Sequence, residues 1–428
     1  VDFFAQRENS VKLRALFYTA ASSKIGNWVA HPFYESYFTD SPSSISISCS
    51  LSDRDGEDPK FPEFMRMFRE ECLLSGAKEE EFSRFISSRF IQESAKVRKD
   101  QFDLVLVPTV PYYVGPRKWL IFIEDWITLF FPFLNNGEKP DVDPRCLEQY
   151  PMLRTMFELP NCLGILSHVE STVGMMKIIF GDIVGKKSYF IPLGRRIPQY
   201  EERDPLAPVR FLFLSSFRAR NPLQTLNRGG DSALEGFARF YEENPHADSE
   251  ITIMGLSNLI EPMFEQRVVK KLLKQGRIKV INSRGDIPRE EVDSYLRVSD
   301  FLLVPSFRLH VVTVADGLSF GLPVLCSDGW GYDEFIVDGI NGYICPGQYG
   351  VSSWKDDQGL LREDYKQGYR RNPKIVDSVK KAITRCCSMT YEERKQFQIR
   401  ARNTAQVLFS IEDRNKRFDS LIERIYND

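Results

Sequence analysis

Val298–Ile344 reads VSDFLLVPSFRLHVVTVADGLSFGLPVLCSDGWGYDEFIVDGINGYI. Phe301–Val304 is a short apolar run between Asp300 and Pro305, the pattern of a strand buried on both faces of a parallel sheet. Pro305–His310 is a polar and aromatic loop. Val312–Phe320 has helical apolar spacing and stops at Gly321, a helix C-terminal signal. Pro323–Cys326 is a second buried strand. Ser327–Gly331 then leaves the sheet as a Gly-rich loop, followed by a short helix and a closing turn. Two strands whose outgoing loops adjoin are the place where open α/β sheets bind ligands.

The same alternation runs outward in both directions. Upstream, Val209–Leu214, Glu250–Gly255 and Ile278–Ile281 read as strands, with helices over Ser232–Tyr241, Val268–Gly276 and Pro288–Val298. Downstream, Lys374–Cys386, Thr390–Phe409 and Glu412–Tyr426 read as helices. Tyr200–Pro208 is polar and Pro-bearing, and reads as a linker. Before it, Leu13–Ala20, Ser41–Leu51, Phe102–Val107, Trp119–Ile123, Asn161–Ser167 and Ser188–Pro192 read as strands. Helices are expected over Trp28–Phe38, Phe61–Val97 and Glu170–Phe180. The expected fold class is therefore α/β: two doubly wound, Rossmann-like domains. Their boundaries are 1–203 and 208–408, with a C-terminal helix at 411–428.

Composition narrows the function classes. The chain has 428 residues, enough for two domains. Net charge is −2, which argues against a nucleic-acid partner. There are eight cysteines without a CxxC pair and only four histidines, so zinc is not expected. Cys162 and Cys326 lie in apolar runs and read as buried thiols. A reducing, cytoplasmic location fits best. No run reaches the roughly 20 apolar residues of a membrane-spanning helix. The aromatic stretch Trp119–Phe133 reads as core, with peripheral membrane contact as the other option. The chain begins with Val, which leaves room for its being a module of a larger protein.

Several residues recur in a known order. Ser299-Asp300, Pro305-Ser306, Gly321-Leu322-Pro323-Val324, Asp328, Gly331, Glu334 and Asp338-Gly339…Gly342 together resemble the donor-binding region of the retaining, nucleotide-sugar-dependent glycosyltransferases of the GT-B fold, family 4 in particular. The N-terminal half resembles the family more loosely, in strand order and in FDLVLVP and FIPLG. The resemblance implies two domains across a cleft. The C-terminal one would bind a nucleotide-diphosphate sugar. The N-terminal one would bind a glycan or lipid-linked saccharide, and the last helix would cross back to it. It also implies transfer with retention of configuration and without a metal or other cofactor. Asp141-Val142-Asp143, flanked by prolines, fits a metal-binding DxD by letters only.

The resemblance also distributes roles. Asp316 falls on a glutamate that accepts hydrogen bonds from the ribose hydroxyls, as a carboxylate can. Arg308 falls on a second glutamate, and the Gly-Phe-Gly between them falls on Leu309-His310-Val311. A cation cannot accept from sugar hydroxyls, so Arg308 is expected on the diphosphate or an acidic sugar, or solvated in its loop. Backbone N–H groups of Val311, Val312 and Thr313 would cradle phosphate at a helix N-terminus, with His310 beside them. Arg228, with Arg218 or Arg220, would stabilise the charge growing on the leaving diphosphate. Glu334 would meet sugar hydroxyls or cap a helix, and the backbone at Gly285 and Asp286 would read the base. In the first domain, the Ser22–Gly26 loop, Glu124, Asp125 and His168 are candidates for orienting the acceptor. Two other outcomes stay open. One is an inverting transferase or epimerase, with His168 or Asp125 as base. The other is a degenerate fold that binds without catalysing, which Arg308 would explain.

Overall fold

The computed structural model describes residues 12–17, 34–48, 58–88, 91, 97, 101–108, 112–130, 143–215, 228–255, 263, 266–281, 287–347 and 372–427. The chain divides into two units, Val1–Gly194 with Ser410–Asp428, and Arg195–Phe409.

The first unit is built on strands β1 (Leu13–Phe17), β2 (Ile45–Ser48), β3 (Leu104–Val107), β4 (Trp119–Ile123), β5 (Cys162–Ser167) and β6 (Ser188–Phe190). They form one parallel sheet in the order β2-β1-β3-β4-β5-β6. Its helices are α1 (Glu35–Thr39), α2 (Phe61–Leu74), α3 (Glu79–Ile86), α4 (Ile127–Phe130), α5 (Tyr150–Glu158), α6 (Glu170–Phe180) and α7 (Asp182–Lys186). The central strands β3, β4 and β5 are buried along their whole length, which is why they lack polar alternation.

The helical region expected over Phe61–Val97 holds two helices in its described part, α2 and α3. Gly76 adopts φ 97° and ends the first. Its N–H donates to Leu73 O (3.1 Å), and Ala77 N–H donates to Cys72 O (3.0 Å), closing the last turn. Ser75-Gly76 was the available stop signal. The aromatic stretch is core over its described part: Trp119, Phe122, Trp126 and Phe130 are buried. Phe130 and Tyr150 both stack on Phe180, at 6.1 and 5.4 Å between centroids.

The second unit holds β7 (Val209–Leu214), β8 (Ser249–Met254), β9 (Ile278–Ile281), β10 (Phe301–Val304), β11 (Val324–Ser327) and β12 (Gly342–Cys345). All are parallel, in the order β12-β11-β10-β7-β8-β9. Helices α8 (Gly230–Glu243), α9 (Arg267–Lys274), α10 (Arg289–Val298), α11 (Val311–Ser319), α12 (Pro373–Cys387) and α13 (Tyr391–Leu408) surround it. The last helix of the chain, α14 (Ile411–Asn427), belongs to the first unit.

Gly342–Cys345, read as a closing turn, is the edge strand β12. A Cβ at Gly342 would stand 2.1 Å from Val324 O, so glycine allows the pairing with β11. Residues 195–208 are tied into the second unit: Arg203 donates to Ser299 O (3.1 Å) and Phe320 O (2.9 Å). Phe211 and Phe301 stack across adjacent strands at 5.5 Å.

Among the described residues no helix is long and apolar enough to cross a membrane. Among them, too, no group of three or more His, Cys, Asp or Glu could hold a metal ion. Asp143 is occupied locally, accepting from Arg145 N (2.9 Å) and pairing with its guanidinium. Burial pushes the Cys162 thiol up to about 12 and raises that of Cys326.

Candidate functional site

In the second unit the strand order reverses between β7 and β10, and loops leaving opposite sides of such a reversal border a crevice. The described end of the loop after β7 is Arg228-Gly229. Gly229 has φ 74°, and a Cβ there would stand 2.1 Å from Pro305 O. Glycine thus lets the loop carrying Arg228 touch the loop after β10. The loop after β11 closes on the same place: a Cβ at Gly329 would stand 2.3 Å from Phe307 O. Leu309 N donates to Trp330 O at 2.8 Å.

Side chains lock these loops together. Ser306 Oγ donates to Arg308 O at 2.6 Å, and Tyr332 OH donates to the same carbonyl at 3.2 Å. Ser327 Oγ donates to Ser306 O. The backbone at Arg308 is therefore fixed, and its side chain is half-buried. His310, also half-buried, precedes α11, and its carbonyl accepts from Val314 N (3.1 Å). Val311, Val312 and Thr313 form the first turn, whose N–H groups have no acceptor inside the helix and carry its positive end. Glu334 is half-buried in a 3₁₀ turn, Tyr332–Glu334, behind Gly331. The structure thus gathers the loops bearing Arg228, Arg308, His310 and Glu334 at one end of the sheet. Arg218, Arg220, Gly285 and Asp286 lie outside the described residues.

Asp316 is buried in α11 and held by two arginines. Arg289 forks onto it, Nη1 to Oδ2 at 2.7 Å and Nη2 to Oδ1 at 3.1 Å. Arg195 Nη2 also donates to Oδ1. Arg195 is as buried as the carboxylate, whereas the Arg289 side chain is 35% exposed. Arg289 also pairs with Asp293 at 2.7 Å, and burial lifts the Asp293 carboxyl above its usual range. A carboxylate has about four acceptor positions, and guanidinium N–H groups take three of these. Neither arginine was among the sequence candidates. Arg195 lies in the irregular segment after β6 and Arg289 opens a helix after Pro288, positions without periodicity to flag them.

Other residues of the ordered motif serve the fold. Asp300 Oδ2 accepts from Arg210 N (2.8 Å) and Oδ1 from Gln398 Nε2 (3.0 Å), and burial raises its carboxyl. Asp328 Oδ2 accepts from Gly347 N (3.1 Å), and Asp338 Oδ1 from Ile344 N (2.9 Å).

In the first unit, Glu124, Asp125 and His168 sit at the adjoining ends of β4 and β5. Asp125 is buried and caps the turn into α4, accepting from Thr128 N at 2.9 Å. The Glu124 carbonyl accepts from Thr172 Oγ1 at 2.8 Å. His168 is buried. The Ser22–Gly26 loop lies outside the described residues.

No protein-family model and no curated protein sequence matches the chain. Solved structures do. Anabaena Alr3699/HepE, in complex with UDP-glucose, matches at TM-score 0.52 and 11% identity, over 97% of this chain and 100% of that one. A glycosyltransferase from Rickettsia africae ESF-5 matches at TM-score 0.46 and 13% identity, over 90% and 86%. A chain of the GtfA/B complex matches at TM-score 0.48 and 14% identity. There, 76% of this chain spans only 57% of that one. At such identities the likeness concerns the fold. That fold is the GT-B class, two doubly wound α/β units.

Proposed function

We propose that the protein is a glycosyltransferase that takes a sugar from a nucleotide-diphosphate donor, bound by the second unit, to a hydroxyl acceptor bound by the first. The reading rests on one observation: the loops touching at Gly229, Pro305 and Gly329 are the ones the family resemblance assigns to the donor. The UDP-glucose bound to HepE supports a donor of this kind.

In this reading the diphosphate lies against the first turn of α11, where Val311–Thr313 N–H groups and His310 meet its charge. Arg228 opposes the charge that grows as the glycosidic bond breaks. Arg308 contacts the diphosphate or an acidic group of the sugar. Asp316, fixed by its arginines, offers its remaining acceptor position to one ribose hydroxyl. Transfer proceeds with retention, the leaving diphosphate oxygen taking the acceptor proton, and needs no metal.

A second reading has its own support. Asp316 is engaged by two arginines and Arg308 replaces a family glutamate, as expected of a fold that binds without catalysing.

Thermal stabilisation by UDP-, GDP- and ADP-sugars, with release of free sugar, separates the two. The transferase reading expects a melting shift with one nucleotide family and slow hydrolysis, both persisting with chelator. Arg308→Glu is expected to alter the preferred donor while changing stability by less than about 0.5 kcal/mol. Stabilisation without turnover favours the binding reading, and no stabilisation by any nucleotide overturns the transferase.

A further inference from the structure

Helix α14 and strand β6, the edge of the first sheet, border an open groove of about 610 Å³. The helix lines it with positions 413, 416, 417, 420, 421 and 424, a single stripe at helical spacing. Leu421 is buried and seats the stripe, while Lys416, Arg417 and Arg424 are exposed. The strand contributes two rings. The Arg417 guanidinium stands 5.9 Å from the Phe190 ring centroid, and that of Arg424 stands 5.3 Å from the Tyr189 centroid.

Stacking on a ring restrains a guanidinium plane and leaves its N–H edge available to an anion. Arg417 and Arg424 are seven residues apart, about 10.5 Å along the helix. The acid on the stripe is Asp413, which pairs with Arg417 Nε at 2.8 Å. Three cations against one acid leave the stripe at +2 (3 − 1) in a chain of net charge −2. Covering a sheet edge accounts for the long stems of these side chains, but it does not call for three like charges around a groove.

We propose that this groove binds a soluble, linear oligoanion whose phosphate, sulfate or carboxylate groups lie about 10 Å apart, two helical turns. The concave shape suits a ligand one chain wide better than a flat layer of lipid headgroups. Ser188 and Ser420 add hydroxyls to the lining. The site stands apart from the transferase reading, and its test uses no nucleotide sugar.

The experiment is calorimetric titration of the full chain with a linear inorganic polyphosphate of about ten or more units, long enough to span the two arginines, and with a heparin hexasaccharide, at about 50 and 200 mM salt. Binding of at least one probe, weakened by salt, is expected. Arg417→Gln with Arg424→Gln should weaken it about tenfold or more. Removing the same charge elsewhere, by Lys271→Gln with Lys274→Gln on α9, should change it less than about twofold. If the double groove variant melts early, Lys416→Gln gives the same reading from an exposed residue, with a loss of about threefold expected. Failure of both probes to bind overturns the proposal, as does equal weakening by the α9 variant. Sedimentation with phosphatidylglycerol vesicles by a protein that ignores both soluble probes overturns it too.

Discussion

Each unit buries an ionic centre, and the two have different kinds of partner. In the first, Arg414 of α14 is fully buried, and its Nη2 donates to Ser36 O and Asp40 O, both at 3.1 Å. Its guanidinium lies 3.9 Å from the Tyr37 ring centroid. These partners are peptide dipoles and a π face, with Ser36 and Tyr37 buried. In the second, Asp316 is met by full charges, and one of them, Arg289, reaches solvent. A cation desolvated among neutral partners has no second arrangement of similar energy, so Arg414 anchors α14 to α1. A carboxylate whose partner reaches water can exchange part of that pairing for a ligand. Burial alone does not distinguish an anchor from a site; the solvent exposure of the partners does.

The largest test breaks the second centre. Asp316→Ala removes the buried carboxylate that Arg195 and Arg289 share and is expected to cost about 3–5 kcal/mol in urea unfolding. Asp316→Asn should cost less, because an amide oxygen still accepts from one guanidinium. Equal costs would show that the charge, and not the acceptor oxygen, is what holds the centre.

Arg414→Ala should cost about 2–4 kcal/mol, from the cavity and the two hydrogen bonds it loses. It should leave stabilisation by a nucleotide sugar unchanged. Loss of that stabilisation in a folded Arg414→Ala protein would erase the distinction between anchor and site.

The smallest test is in pH. Burial raises Asp300 in the second unit and Tyr37 in the first. In both, the native state holds its proton more tightly than the unfolded chain. Stability therefore falls as pH rises from the unfolded pKa through the raised native one. For Asp300 that window opens at the ordinary carboxyl value, near 4, and for Tyr37 near 10. Asp300→Asn should flatten the acid slope of the urea midpoint, and Tyr37→Phe the alkaline one. A variant that flattens the other's slope would contradict the assignment.

The strands were legible because a strand covered on both faces needs no polar alternation, so VRFLFL and FLLV stand out as continuous apolar runs. The stop at Gly321 was legible for the same local reason. Its N–H donates to Leu318 O (3.0 Å), closing the turn that only a residue tolerant of positive φ allows. The break at Gly76 is of the same kind and was hidden by the charge-laced sequence around it. Strand β12 was not legible, since four residues pair only because Val324 O accepts a close neighbour at Gly342.

Local sequence determined two alternating α/β halves, the loop that follows each strand, and the residue types those loops present. Tertiary structure alone decided which loops meet and which charges pair. Asp316 finds Arg195 from 121 positions away and Arg289 from 27, and α14 finds the edge at β6. The physical reason is range. Apolar periodicity and glycine φ act within one turn or strand, whereas an ion pair or a ring under a guanidinium depends on how whole elements pack.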